Sequence, residues 1–338
     1  MNRILHIGLG PLGQKIIADL YERKLGRVVA AVDLDPKLAG RELGDVVKGC
    51  PDDLTVINSL EDFSAWDQVD AAVVTTSSDL RLCADTFRTL LRHGVTVVST
   101  CEELVWPWLR HEALAKELDE AAKRGKGRLL GTGVNPGAMM DTVPVFATAV
   151  CKSVRSLEVH RIQDATTRRI PFQRKIGATL DKAAFKKGIK DGWLRHVGLG
   201  ESMHFIAYYM GMKLDTWKET IEPVLATKAM KCGLGPIKKG HACGVRQIAV
   251  GKQNGKTLIK MVFQASIGQK SPMDRVLVTG EPKLDVIFSG GVHGDIATSA
   301  MTLNSIAQLR AASPGLHTMA TVPLVRWSPP PVAKPKDD

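Results

Sequence analysis

Backbone without side chains and a single carboxylate, spaced for phosphate and sugar recognition, open the chain. Gly8-Leu9-Gly10-Pro11-Leu12-Gly13 follows a short apolar run at 3–7 and precedes a segment at 14–24 that carries Ile16, Ile17, Leu20 and Tyr21 at helical spacing. The three glycines serve different physical needs. Gly8 permits the turn, Gly10 lets the backbone approach a pyrophosphate, and Gly13 lets the helix lie close on the strand. The helix start, where Pro11 and Leu12 are candidate cofactor contacts, offers the unpaired N–H groups that follow Pro11 to the phosphates. A second apolar run at 27–32 ends in Asp33, twenty residues after Gly13, where a carboxylate accepts hydrogen bonds from a ribose 2′-hydroxyl. This order of strand, turn, helix, strand and acid reads as a dinucleotide site. Asp33 favours NAD(H), and the nearby Lys37 and Arg41 keep NADP(H) as a second candidate.

The elements that must position further contacts follow. Apolar runs at 70–75, 95–99 and 128–130 suit a parallel sheet covered on both faces, and such sheets bind ligands at the carboxyl ends of their strands. Those ends carry Thr75, Thr76 and Ser77, then Thr100, Cys101, Glu102 and Glu103, then Asn135-Pro136-Gly137. These are the places for nicotinamide and substrate contacts. From about residue 154 the pattern turns to alternation, and Asn254-Gly255 between runs at 245–250 and 258–263 predicts a type I′ hairpin. Runs at 274–278 and 284–288 add strands, and 202–212 reads as a helix. The fold class is α/β: an N-terminal Rossmann doubly wound parallel sheet, with a second α+β domain on an open, largely antiparallel sheet. The expected division is 1–138 for the dinucleotide, 139–300 for substrate and dimerisation, 301–327 as a helical segment returning to the first domain, and 328–338 as a flexible tail. A returning helix at 296–310 would bring His293 and Asn304 near the cleft. An open sheet has a face to cover, and pairing two chains covers it, so a homodimer is expected.

Composition sets the outer bounds. At 338 residues, 44% hydrophobic and 24% charged, the chain is ordinary globular material for two domains. No apolar run is long enough for a membrane span and no leader pattern opens the chain, so it is read as cytoplasmic, with no membrane partner. The net charge of +11 is dispersed rather than gathered in an aromatic-laced basic stripe, which argues against nucleic acid. Six cysteines stand singly; Cys232, His241 and Cys243 come nearest to a metal set but fit no ligand spacing, and no metal is expected.

The motifs Gly131-Thr132-Gly133-Val134-Asn135-Pro136-Gly137, Arg168-Arg169-Ile170-Pro171-Phe172-Gln173-Arg174-Lys175-Ile176-Gly177 and Gly294-Asp295-Ile296-Ala297-Thr298, with Pro314-Gly315, resemble 2,4-diaminopentanoate dehydrogenase and the related native amine dehydrogenases of the dihydrodipicolinate reductase-like superfamily. The resemblance covers most of residues 1–325. It implies reversible interconversion of an amine with a small ketone or aldehyde plus ammonia, using NAD(P). It also implies a catalytic acid after the strand preceding the Gly131–Gly137 motif, which maps onto Glu102, with Glu103 as the one-residue alternative. Dihydrodipicolinate reductases carry a histidine pair, a lysine and a phosphate-loop-like stretch in the second domain; this chain has Asp164 in place of the lysine and lacks the stretch, so the lysine-biosynthesis reaction is not expected. Ala138, Met139, Ile162, Thr166, Phe205 and His293 are the candidate substrate contacts, most of them apolar. Two other readings stand beside this one: a carbonyl or cyclic-imine reductase that uses no ammonia, and a non-catalytic NAD(P)H-binding sensor. Tyr209 and Lys213 have the Y-x-x-x-K spacing of short-chain dehydrogenases, though in the second domain.

Overall fold

In the computed structural model, which describes residues 2–51 and 53–330, the chain forms two units: 1–138 with 294–338, and 139–293. The first unit begins β1 (Asn2–Ile7), α1 (Pro11–Glu22), β2 (Gly26–Val32), α2 (Leu43–Val46), β3 (Ala71–Val74), α3 (Leu80–Arg92), β4 (Thr96–Ser99), α4 (Glu112–Gly125) and β5 (Arg128–Gly131). The strand pairs of this sheet are parallel, and β3 and β4 are buried at every residue, as a sheet covered on both faces demands. Pro11 at the first position of α1 costs no hydrogen bond there, and the Asp79 side chain caps α3 by accepting from Arg81 N–H. Phe87, Leu90 and Leu91 of α3 pack with Val97, Leu118 and Leu129 into one core.

The second unit holds α5 (Thr142–Ala147), β6 (Ser153–Asp164), α6 (Ile170–Lys175), α7 (Lys182–Lys190), α8 (Leu199–Tyr209), β7 (Thr216–Leu225), β8 (Met230–Cys232), β9 (Gly235–Ile237), β10 (Ala242–Gln253), β11 (Lys256–Ser266), β12 (Met273–Glu281) and β13 (Leu284–Ser289). Its large sheet runs β13-β12-β6-β11-β10-β7. The hairpin between β10 and β11 forms as expected, with Asn254 and Gly255 at φ 49° and 75°, the two positive values that a type I′ turn requires. Four of the five junctions are antiparallel; β6 and β11 pair in parallel, because helices and further strands intervene between them in the chain. One face packs Leu157, Val159, Met261 and Phe263 against Met203 and Ile206 of α8. A buried ion pair crosses the sheet: Arg161 Nη1 donates to Asp274 Oδ1 at 2.7 Å, and the two groups hold the backbone C=O and N–H of Val292.

The chain then returns to the first unit with α9 (Gly294–Ala311), packed on α1, and β14 (Gly315–His317), which extends the parallel sheet beyond β5. Ser328, the first residue of the expected tail, is held by Arg23 and Asn304; residues 331–338 of that tail lie outside the described residues. Among the described residues, no helix is long and apolar enough to cross a membrane.

Candidate active site at the carboxyl edge of the parallel sheet

The glycine turn is supported from below. Gly8 sits at φ +96°, a conformation that favours glycine, and a Cβ on Gly13 would collide with the Gly8 carbonyl, so the helix can approach only because Gly13 has none. Thr75 donates its hydroxyl to Gly8 O at 2.7 Å, and the His6 ring fills the space beneath, 3.5 Å from the same hydroxyl. Burial drives the His6 pKa down to about 4, so the ring is neutral under ordinary conditions. A Cβ on Gly10 would meet nothing, which leaves the turn open on the side where a pyrophosphate would approach. Asp33, just past β2, takes Leu9 N–H at 2.5 Å on one oxygen and Asp35 N–H on the other, which ties the turn to the sugar-side strand.

Beyond β3, Thr76 contacts the Cys83 thiol, and the Ser77 hydroxyl accepts from Asp79 N–H. Beyond β4 the two neighbouring glutamates differ. Glu103 Oε2 accepts from Leu80 N–H at 2.9 Å and lies 2.8 Å from His111 Nε2, so it anchors the start of α3. Glu102, half-buried, leads the single turn Glu102–Val105. Thr100 is half-buried. Cys101, by contrast, turns its thiol inward to Ser78 O at 3.3 Å and is 1% exposed, so any cofactor contact from it would have to come from backbone.

Beyond β5, Gly137 at φ +121° and the cis Asn135–Pro136 peptide fold the 133–137 loop back on itself, with Val134 N–H donating to the Thr298 hydroxyl. Inside this loop the Asn135 side chain is 8% exposed, and neither its Nδ2 nor its Oδ1 has a hydrogen-bond partner among the described residues. An uncompensated buried amide is costly, and a ligand that supplies both a donor and an acceptor would relieve it.

Asn304 is placed elsewhere. Its Oδ1 accepts from Arg23 and Ser328, at the end of α1 opposite the glycine turn and a helix length of about 18 Å away. The long return helix packs along α1, so its middle meets the wrong end for a cofactor contact. Ala138, which closes the first segment of one unit, and Met139, which opens the other, are both buried. Ile162 is half-buried on β6 opposite Met273. Thr166 spends its hydroxyl on Asp164 and on Gly268 N–H, closing a turn, and Phe205 is fully buried beside Tyr209 in α8; both serve structure in this conformation. His293 is exposed. Tyr209 ends α8 and Lys213 lies beyond it, so their spacing does not place them on one helix face. Cys232 and Cys243 direct their thiols to backbone carbonyls, and His241 Nδ1 pairs with Thr179 O.

Sequence reasoning passes over His6, His111 and Cys83, whose roles depend on partners 7 to 69 positions away. For His6 the one hint is Gly13, since a side chain from below must fill what that glycine leaves.

Known proteins share this outline. Residues 138–328 match the family model of the 2,4-diaminopentanoate dehydrogenase C-terminal domain. A 2,4-diaminopentanoate dehydrogenase of Acetoanaerobium sticklandii is 30% identical over 96% of this chain and 94% of its own length. An amine dehydrogenase of Streptomyces virginiae is 22% identical, covering 94% of this chain and 95% of that one. The solved structure of an amine dehydrogenase from Mycobacterium smegmatis superposes with a TM-score of 0.85 at 20% identity, covering 97% and 98% of the two chains.

Proposed function

Because the chain belongs to the 2,4-diaminopentanoate dehydrogenase family, we propose that Glu102 is the proton carrier in the interconversion of an amine with a small ketone or aldehyde plus ammonia. The chain is an NAD(P)-dependent oxidoreductase acting on CH–NH2 groups. The observation that carries the assignment of Glu102 is its place, half-buried at the head of the turn just past β4 on the carboxyl edge of the parallel sheet, where the family resemblance puts a catalytic acid.

The residues present suit a dinucleotide. Gly10 leaves its side of the turn open, the start of α1 supplies N–H groups, and the orphaned Asn135 amide is complementary to a carboxamide, donor to acceptor and acceptor to donor. When bound, NAD(H) gives or takes the hydride at the carbon that bears nitrogen. In the amination direction Glu102 takes a proton from ammonium to free its lone pair, then delivers a proton to the carbinolamine hydroxyl so that water leaves. The ionised carboxylate stabilises the iminium that remains. Asp33 favours NAD(H) by repelling a 2′-phosphate. Association of two chains through the open face of the second unit's sheet completes the reading; sedimentation of the full chain tests it, and a monodisperse monomer at micromolar concentration would overturn it.

A panel of small carbonyl compounds with NADH, with and without ammonium, tests the activity. Ammonium-dependent NADH consumption is expected; consumption without ammonium would favour an imine or carbonyl reductase, and NADH binding with no turnover a sensor. Glu102→Gln is expected to lower kcat for amination by roughly 10²–10⁴-fold with NADH affinity nearly unchanged. Full activity in that variant would remove the proposed role.

A further inference from the structure

The turn that carries Glu102 is fastened to the start of α3 through the next residue. Glu103 N–H donates to Ser78 O at 3.3 Å, and because the Glu102–Glu103 peptide is one planar unit, that bond also orients the Cα of Glu102. The Glu103 side chain makes a second fastening: its Oε2 accepts from Leu80 N–H at 2.9 Å and from His111 Nε2 at 2.8 Å. A carboxylate only accepts, so Nε2 of His111 carries the proton. Both side chains are mostly buried, Glu103 at 17% and His111 at 12% exposure, and His111 is itself held by its N–H on Pro107 O at 2.8 Å. The turn also lies against β5, where a Cβ on Gly131 would collide with Leu104.

We propose that Glu103 is a positioning residue, which together with His111 aims the Glu102 carboxylate and does not itself exchange protons with substrate. The inference rests on the role given to Glu102. Three parts of the first unit meet at one oxygen: the turn after β4, the start of α3 and the residue that precedes α4. Removing that oxygen leaves the turn held to the 77–80 segment through Ser78 O, so the backbone at Glu102 can swing about that point. The 77–80 segment has bonds of its own, from Asp79 N–H to Ser77 Oγ at 3.1 Å and from Arg81 N–H to Asp79 Oδ1 at 2.9 Å, so it is the turn that gives.

Positioning and proton transfer make opposite demands on this side chain. Both donors reach the same oxygen, so Glu103→Gln, which keeps an acceptor oxygen, keeps the fastening while abolishing any proton exchange. Glu103→Ala removes both.

The kcat for ammonium-dependent NADH consumption, with the panel's best carbonyl substrate, and NADH affinity by fluorescence titration are measured for both variants of the full chain, alone and combined with Glu102→Gln. Glu103→Ala is expected to lower kcat by roughly 10²-fold, the scale of an ångström-sized misplacement, with NADH affinity nearly unchanged. Glu103→Gln is expected to keep most of the wild-type kcat. Combined with Glu102→Gln, Glu103→Ala should cost little more, because the group it aims is gone. His111→Ala, which takes away one donor of two, is expected to lower kcat by roughly 2–10-fold, the scale of one hydrogen bond, and decides in place of Glu103→Ala should that chain fail to fold. A Glu103→Gln chain as inactive as Glu103→Ala would make Glu103 the proton carrier and overturn the positioning role. So would an unchanged kcat in both Glu103→Ala and His111→Ala, or losses that multiply with that of Glu102→Gln. Full activity in Glu102→Gln alone would instead remove the reading of Glu102, and this inference with it, a result distinct from any loss at Glu103.

Discussion

Each unit buries a polar side chain in the middle of a sheet, and they solve the problem in opposite ways. The first places His6 under the glycine turn and keeps it neutral, with burial holding the ring's pKa near 4. The second places Arg161 in β6, where a guanidinium keeps its charge, and sets Asp274 opposite it in β12 at 2.7 Å. A group that can shed its proton needs only modest hydrogen-bonding; one that cannot must bring a counter-charge and have its remaining donors filled, here by Val292 O. The first solution leaves the carboxyl edge of the parallel sheet free of a fixed charge at His6, while the second locks the strand-to-helix connection at Val292.

Breaking the ion pair should have the larger effect. Asp274→Ala strands a buried guanidinium and releases Val292 N–H, and is expected to cost about 3–5 kcal/mol of stability, measured by denaturant unfolding. A loss below about 1 kcal/mol would mean that Arg161 reaches solvent on removal of its partner.

The neutral solution predicts a pH dependence instead. The folded chain refuses a proton at His6 until about pH 4, whereas the unfolded chain takes one up near 6.5. Stability is therefore fully present above that window and lost as pH falls through it, by about 3 kcal/mol at its lower end. His160, half-buried and also lowered chiefly by burial, adds in the same direction. Melting curves of wild type and His6→Gln between pH 7 and 4 check this, and equal slopes in the two would remove His6 as the cause.

What could be read from the chain before its structure follows the range of the forces involved. The glycine turn, Asp33 and the Asn254-Gly255 hairpin are local devices, in which a few neighbouring residues dictate the backbone, and all three stand where spacing put them. The commitment of Glu103 was not legible, because it depends on Leu80 and His111. Nor was the parallel β6–β11 pairing, since alternation reports which face of a strand is buried and not which strand lies beside it. Asn304 illustrates the same limit: a helix that returns to the first unit can present a given side chain to either end of α1, and periodicity does not choose the end.

The short strand Gly315–His317 gives the parallel sheet a history as well as a shape. Its partner β5 is complete at residue 131, yet the strand that covers that edge is encoded more than 180 positions later. At synthesis rates of about 5–20 residues per second, a growing chain would hold the β5 edge uncovered for roughly 10–40 s while the entire second unit emerges. Through that interval the edge is a template for pairing with another nascent chain, and α9, which packs on α1, is also still missing. Completion of the nucleotide-binding sheet thus waits for the whole second unit, although four of its strands precede β5 in the chain.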